Sequence, residues 1–286
     1  MRRLNAVIIR RLSLNDIDAA ARLIQPQNWN QSAQDWERFL ALEPEGCFAA
    51  LRGTDLVGTA TTELFHAVGW IGMLIVESSL RGQGIGRALM AAAIAYLRRK
   101  GARTIKLDAT PSGKPLYDKL GFRQQYPLFR MLGLGQSLPS AGVRPVTGDP
   151  GDLRALLSLD RKANRTDRRA MVLALMRGWP ELAAVHETNG IIDGYIAGRH
   201  GLHYEHLGPL VATSREAAAQ LLRWGLSAAV GKQVILDRPA TNESALLLGR
   251  QYGFRPLRSF TRMHLGNEPF LDRPELIYAT SGAEKG

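Results

Sequence analysis

The chemistry in this sequence starts at residues 79–90, "SLRGQGIGRALM", where Gly82, Gly84 and Gly86 fall within five residues, behind Arg81 and ahead of an apolar run. Glycines let successive backbone N–H groups turn toward one anion, and a helix beginning there adds positive potential. Arg81 and Arg87 add charge-assisted contacts. The spacing excludes two common phosphate cradles. A dinucleotide fingerprint needs G-x-G-x-x-G, but its last position is Arg87 counted from Gly82 and Leu89 counted from Gly84. A P-loop needs Lys and then Ser or Thr after its last glycine, and no such pair is present here. What remains, Arg81-x-x-Gly84-x-Gly86, suits a pyrophosphate.

Such a loop needs a buried strand before it and a helix after it. "WIGMLIVES" is apolar on both faces and reads as a central strand; residues 86–100 read as a helix with Leu89, Ala92, Ala93, Tyr96 and Leu97 on one side and Gly101 as its stop. Upstream, Val7–Arg10 reads as a strand. Ser13 opens a helix to about Ile24, a second helix starts near Ser32, and "CFAALRG" and "LVGTATTELF" form a hairpin. Downstream come the strand "RTIKLDA", a short helix from Pro111 to Leu120 and a closing strand "FRQQYPLFRM". The expected fold class is α/β (α+β), a mixed sheet with helices on both faces.

The whole arrangement repeats. "IKLDATPSGKPLYDKLGFRQQYPLFRM" from Ile105 and "VILDRPATNESALLLGRQYGFRPLRSFTRM" from Val234 each read strand, Leu-Asp, helix, Gly-Phe and a last strand ending in Arg-Met. The match extends upstream, and Gly58 to Ile71 and Gly194 to Leu207 are both 13 positions apart. We expect two tandem copies of one fold, 1–135 and 141–286, joined by the Gly/Ser/Pro-rich stretch "GLGQSLPSAG". Asp108 recurs as Asp237, which favours a structural role for both.

The first copy resembles the GCN5-related N-acetyltransferase (GNAT) superfamily. The resemblance rests on Arg81-x-x-Gly84-x-Gly86 after the fourth strand and on "LYDKLGF", with Tyr117 four residues before Gly121. The whole chain looks like a bacterial tandem-GNAT group with a degenerate C-terminal repeat. The resemblance implies an N-acetyltransferase with acetyl-CoA as cosubstrate and no metal. Backbone groups of Leu74, Ile75 and Val76 would pair with the pantetheine arm, and an N–H there would polarise the thioester carbonyl. Arg81, Gly82, Gln83, Gly84, Ile85, Gly86 and Arg87 would hold the pyrophosphate. Thr110 stands where the family often has Asn at the start of the last helix, and its hydroxyl can still bond the pantetheine arm. Tyr117 would protonate the leaving thiolate; the bland reading is a packing tyrosine beside Leu116 and Leu120. Glu63 is the candidate base and His66 an alternative to it, near the acceptor; for each, a solvated strand-end residue is an equal reading. Glu77 more simply orients the loop. Trp29 and Asn30 are placed on the substrate side, and Trp36 in the core.

The second copy lacks this equipment. Val76 and Leu107 are 31 positions apart but Ala212 and Leu236 only 24; "TSREAAAQLL" carries no glycine, and Gly249 aligns with Tyr117. We expect the second copy to bind no acetyl-CoA and to shape the substrate cleft. His200, His203 and His206 are spaced by three, but on an extended hairpin they do not share one face, so a polar hairpin near the cleft is expected rather than a metal site. The basic segment "DRKANRTDRRAMVLALM" either meets an acidic group of the substrate or is a solvated helix start.

Composition narrows the rest. The 286 residues carry net charge +11, pI ≈ 10.2, without a long like-charge run. That favours anionic small partners, and no aromatic-basic interleaving points to nucleic acid. A positive protein suits a neutral or acid-bearing small-molecule amine as acceptor: an amino acid, amino sugar or short peptide. A non-catalytic acyl-CoA sensor and a protein N-acetyltransferase are the alternatives. One cysteine, Cys47, the absence of an apolar leader in "MRRLNAVIIRRLS" and the absence of any bilayer-length apolar run lead us to expect a cytoplasmic chain with no membrane partner, a monomer or homodimer.

Overall fold

The computed structural model describes residues 6–267 and 270–286; the basic start at Arg2 and Arg3 lies outside the described residues. The first repeat contributes β1 (Val7–Arg11), α1 (Ile17–Ile24), α2 (Ala33–Leu42), β2 (Phe48–Arg52), β3 (Asp55–Phe65), β4 (Val68–Val76), α3 (Ile85–Arg99), β5 (Thr104–Ala109), α4 (Lys114–Lys119) and β6 (Arg123–Leu134). The second contributes β7 (Val143–Pro145), α5 (Pro150–Asn164), α6 (Arg169–Gly178), β8 (Ala184–Thr188), β9 (Ile191–His200), β10 (Glu205–Ala212), α7 (Arg215–Ala228), β11 (Gln233–Pro239), α8 (Glu243–Gln251), β12 (Arg255–Leu265) and β13 (Ile277–Ala279). The tandem mixed-sheet architecture is as expected.

In the first repeat α3 buries Leu89, Ala93, Tyr96 and Leu97 on one face of the sheet, while α1 and α2 bury Ile24, Trp36 and Phe39 on the other. Trp36 is core, as read from its spacing. Cys47 is fully buried, and burial pushes its thiol up to about 12, so it is inert. Among the described residues no helix is long and apolar enough to cross a membrane.

One continuous sheet runs through both repeats, in the order β1-β2-β3-β4-β5-β12-β6-β11-β10-β9-β8-β7, with β13 off this path beside β10. The closing strands are exchanged. β12 of the second repeat lies antiparallel to β5 of the first, from Thr261↔Ala109 to Leu265↔Ile105, and β6 of the first lies antiparallel to β11 of the second. The recurring Leu-Asp and Arg-Met motifs are the two halves of this exchange. Arg262 Nε and Nη2 each donate to Asp108 at 2.8 Å, and Arg130 Nε and Nη2 each donate to Asp237 at 2.7 Å. All four side chains are almost fully buried. Asp108 and Asp237 are therefore structural, as their recurrence suggested.

A second junction forms at residues 28–32 and at the segment after β13. Arg199 of β9 donates to Asp35 of α2 at 2.9 Å and to Glu284 at 3.1 Å. Lys285 pairs with Glu284 and with Asp35 (3.3 Å). Arg168 donates to Ser281 at 3.1 Å and to a Gly286 oxygen. This polar segment, residues 280–286, is buried between the repeats, where it covers β4. Gly72 is required there, because a Cβ would stand 2.5 Å from the Glu284 carbonyl oxygen.

Candidate active site

β4 and β5 run parallel only from Val68↔Thr104 to Trp70↔Lys106. Beyond that they separate, because β4 bulges: Thr61 faces Gly72 but Thr59 faces Ile75, and Met73 takes φ +48 between them. Thr59 Oγ1 donates to the Met73 carbonyl at 2.8 Å and holds the bulge. A cavity of about 920 Å³ fills the gap, lined by residues 71–76 of β4 and by Leu107, Asp108 and 110–113 following β5.

The glycine loop closes one end. Arg81, Gly82, Gly84, Ile85, Gly86 and Arg87 all line the cavity; Gln83 does not. Arg81 Nε donates to the Val76 carbonyl at 3.1 Å and ties the loop to the end of β4. Gly84 caps α3 at φ +84, after Gly82 at φ +79. A Cβ at either position would meet nothing within 4 Å, so it is the left-handed backbone alone that calls for glycine. The first N–H groups of α3 follow at once, and a helix leaves these without internal acceptors. Gly84→Ala should therefore cost only about 1 kcal/mol of stability, yet raise the dissociation constant of a pyrophosphate ligand by about tenfold through the altered loop. Calorimetry on the variant checks both the small stability loss and the larger binding loss.

Tyr117 of α4 is 8 % exposed, lines the cavity and packs its ring against Phe122 at 6.0 Å. Burial raises its pKa well above the ordinary tyrosine value, so the hydroxyl is protonated across the neutral range. Thr110 also lines the cavity. Its Oγ1 accepts from the Gly113 N–H at 3.2 Å, so the hydroxyl shapes the turn into α4. Glu77 accepts from Ser79 Oγ at 2.8 Å, the orienting role read for it.

The other predicted residues divide. Trp29 lines the cavity; Asn30 does not. Asn30 is 1 % exposed and its side chain is occupied by the second repeat: Oδ1 accepts from His203 N and Tyr204 N, and Nδ2 donates to the Tyr204 carbonyl, all at 2.9 Å. The Asn30 expectation is corrected: the side chain is buried away from the cavity and is spent on the 203–204 backbone. His66 is corrected as well: it sits in the exposed β3–β4 turn, at the end of β4 opposite the cavity. Glu63 is 4 % exposed and does not line the cavity. Desolvation outweighs the attraction of Lys285, Arg38 and Arg168 and pushes its carboxyl up to about 7, and its Oε2 has no hydrogen-bond partner.

Sequence reasoning missed Gln27, Gln31 and, from the second repeat, Arg258, Ser259, Phe260, Ala283 and Glu284, which complete the cavity wall. Only the position of "LRSF" on the second closing strand could have marked some of them, once the strand exchange was known. The basic segment 160–176 does not reach the cavity: Arg168 is buried against Asp160 at 2.6 Å. His200 bonds Glu205 and Glu181, and burial holds His206 down to about 3, a neutral ring.

In the second repeat the corresponding gap is filled. β10 and β11 pair only at Glu205↔Val234 and His206↔Ile235, and β13 then lies against β10 with Leu210↔Ala279 and Val211↔Ile277. Ser214 caps α7 directly, accepting from Ala217 N at 3.1 Å, with no glycine loop between.

Residues 14–122 match the sequence model of the Acetyltransferase (GNAT) family, and residues 156–279 match that of an Acetyltransferase (GNAT) domain. The chain belongs to the GNAT acetyltransferases. This GNAT chain is 24 % identical over 247 residues to the holothin acyltransferase of Pseudoalteromonas sp., covering 85 % of this chain and 82 % of that protein. A solved Pyrococcus horikoshii chain described as a candidate acetyltransferase superposes with TM-score 0.84 at 25 % identity, over 98 % of this chain and 96 % of the other. A tandem GNAT protein from the clavulanic acid biosynthesis pathway shares the fold, with TM-score 0.63 at 17 % identity over 92 % and 99 % of the two chains.

Proposed function

We propose that this GNAT enzyme transfers an acetyl group from acetyl-CoA to the primary amine of a small molecule by direct attack, in the first repeat only. The observation that carries this reading is the open β4–β5 gap, with the glycine loop at one end and the Tyr117 ring on its wall. The fit to the cosubstrate rests on the left-handed Gly82 and Gly84 ahead of the first N–H groups of α3.

Bound acetyl-CoA supplies a thioester whose acetyl carbon the amine attacks. Backbone groups of 74–76, left unpaired on the β5 side, hold the pantetheine arm as an added strand and place an N–H at the carbonyl oxygen. Residues 81–87 hold the pyrophosphate. Tyr117 gives its proton to sulfur. Burial raises the pKa of tyrosine and of a departing thiolate alike, so the transfer stays feasible in the closed cavity. Glu63 receives the amine's proton through intervening water, since its carboxylate does not line the cavity. In the second repeat, β13 takes the place the pantetheine arm has in the first, so 141–286 shapes the acceptor end without binding acetyl-CoA.

The test is thiol release with acetyl-CoA and a panel of small amines. Turnover supports the reading, whereas tight acetyl-CoA binding without turnover of any amine favours an acyl-CoA sensor. Glu63→Gln tests the base. A carboxyl titrating at about 7 should give kcat/KM an acidic limb near that pH, and the variant should lose the limb. The same substitution should raise stability at neutral pH. A carboxyl raised from 4.5 destabilises the native state increasingly as pH rises from about 4.5 to about 7. A limb that persists in the variant removes Glu63 from the chemistry.

A further inference from the structure

The end of the cavity furnished by the second repeat carries two guanidinium groups, Arg130 and Arg258, and the Glu284 carboxylate, which already pairs with Arg199 and Lys285. Arg130 is neutralised by Asp237 and lies over the Phe260 ring at 5.1 Å. Arg258 stands directly opposite Arg130 in the β12–β6 ladder, lines the cavity, and among the described residues has no carboxylate partner. Like charges directly across a sheet destabilise it. Burial, and after it the neighbouring Arg130, lower the Arg258 pKa by more than Asp237 and Tyr204 raise it. Around Asp35 the buried cations are paired, unlike the half-buried Arg258. Arg38 pairs with Asp35, Arg199 with Asp35 and Glu284, and Lys285 with the same two carboxylates.

A second, independent observation lies in the same cavity. Gln31 is 5 % exposed, lines the same cavity, and its Oε1 accepts no hydrogen bond. A buried amide oxygen left unsatisfied costs about 1–3 kcal/mol. Gln31 and Arg258 belong to one end of the cavity, because Tyr204 ties them together: its backbone is bonded to Asn30, the residue before Gln31, and its side chain is close enough to act on Arg258.

We propose that this end is an anion subsite for the acceptor: Arg258 binds a carboxylate carried by the same molecule whose primary amine is acetylated, and Gln31 Oε1 accepts a hydrogen bond from that molecule. The acceptor class is then an amino carboxylate, an amino acid or a close relative. The planar fork of arginine fits a carboxylate through two parallel hydrogen bonds, which an amide cannot accept equally well. The inference rests on the transferase reading above and sharpens it.

Matched pairs of L-amino acids and their carboxamides test it in the thiol-release assay. The unaltered enzyme should favour the carboxylate in kcat/KM by about 10- to 100-fold, the worth of a charged hydrogen-bonded pair. Arg258→Gln should bring the two within about threefold of each other, and Arg258→Lys should restore part of the preference. An enzyme that prefers the carboxamide, or an Arg258→Gln variant that keeps the original ratio, overturns the subsite while leaving the transferase reading intact. If neither member of any pair releases thiol, the wider amine panel decides the transferase reading, and calorimetry on acetyl-CoA-loaded protein decides the subsite separately. Carboxylate binding that disappears in Arg258→Gln upholds it; equal or absent binding of both members refutes it.

Discussion

Tyr117→Phe will slow turnover by about 10²- to 10⁴-fold, the range for loss of a positioned general acid, while acetyl-CoA binds as before. The substitution removes one oxygen and leaves the ring, so the contact with Phe122 and the burial of α4 remain. In the proposed site the cosubstrate is held by residues 74–76 and 81–87, on other elements. The expected signature is therefore a fall in kcat with unchanged acetyl-CoA affinity and unchanged thermal stability. It should also depend on the leaving group: an acyl donor with a more acidic thiol needs the proton less and should suffer a smaller loss. A kcat within threefold of the parent would leave Tyr117 as a packing residue only.

Arg262→Met will destabilise the fold by about 3–5 kcal/mol, the usual cost of removing one partner from a buried ion pair. Arg262 is 1 % exposed and serves several groups at once. It donates to both Asp108 oxygens at 2.8 Å, to Asp272 and Tyr126 OH at 3.0 Å, and its guanidinium lies 4.8 Å over the Trp70 ring. Without it, Asp272 keeps Lys106 at 2.7 Å, but Asp108 is left buried with no other ion pair among the described residues. At roughly 2–4 °C per kcal/mol for a domain of this size, the melting temperature should fall by about 10 °C. Adding Asp108→Leu to Arg262→Met should recover most of the loss, because the cost lies in the orphaned charge rather than in a large net gain from the pair. A loss under 1 kcal/mol in the single variant would mean that the exchanged strands do not depend on their reciprocal pairs.

Much of this was legible in the residues, and the parts that were not have physical reasons. The duplication showed because Leu-Asp, Gly-Phe and Arg-Met recur in order. The exchange of β6 and β12 did not show, because a repeat written twice gives the same motifs whether Arg262 meets the aspartate of its own copy or that of the other. The glycine loop was legible because positive φ restricts the residue type. Asn30 misled because an amide that bonds a substrate and one that bonds the 203–204 backbone look alike in one dimension. His66 could have been placed correctly. A β3–β4 turn lies at the start of β4, and the loop at Arg81 follows its end. Residues 280–286, "TSGAEKG", carry no signal of burial on their own, because it depends on Asp35 and Arg199, which are distant in sequence. The cavity wall drawn from the second repeat was invisible for the same reason.

The central claim is that two folds of one kind provide one working acetyl-CoA site. Calorimetric titration of the intact chain with acetyl-CoA tests it most directly. The account predicts one mole bound per mole of chain, weakened in Gly84→Ala and unaltered in Tyr117→Phe. Two moles per chain, or one mole whose affinity ignores Gly84, would contradict it.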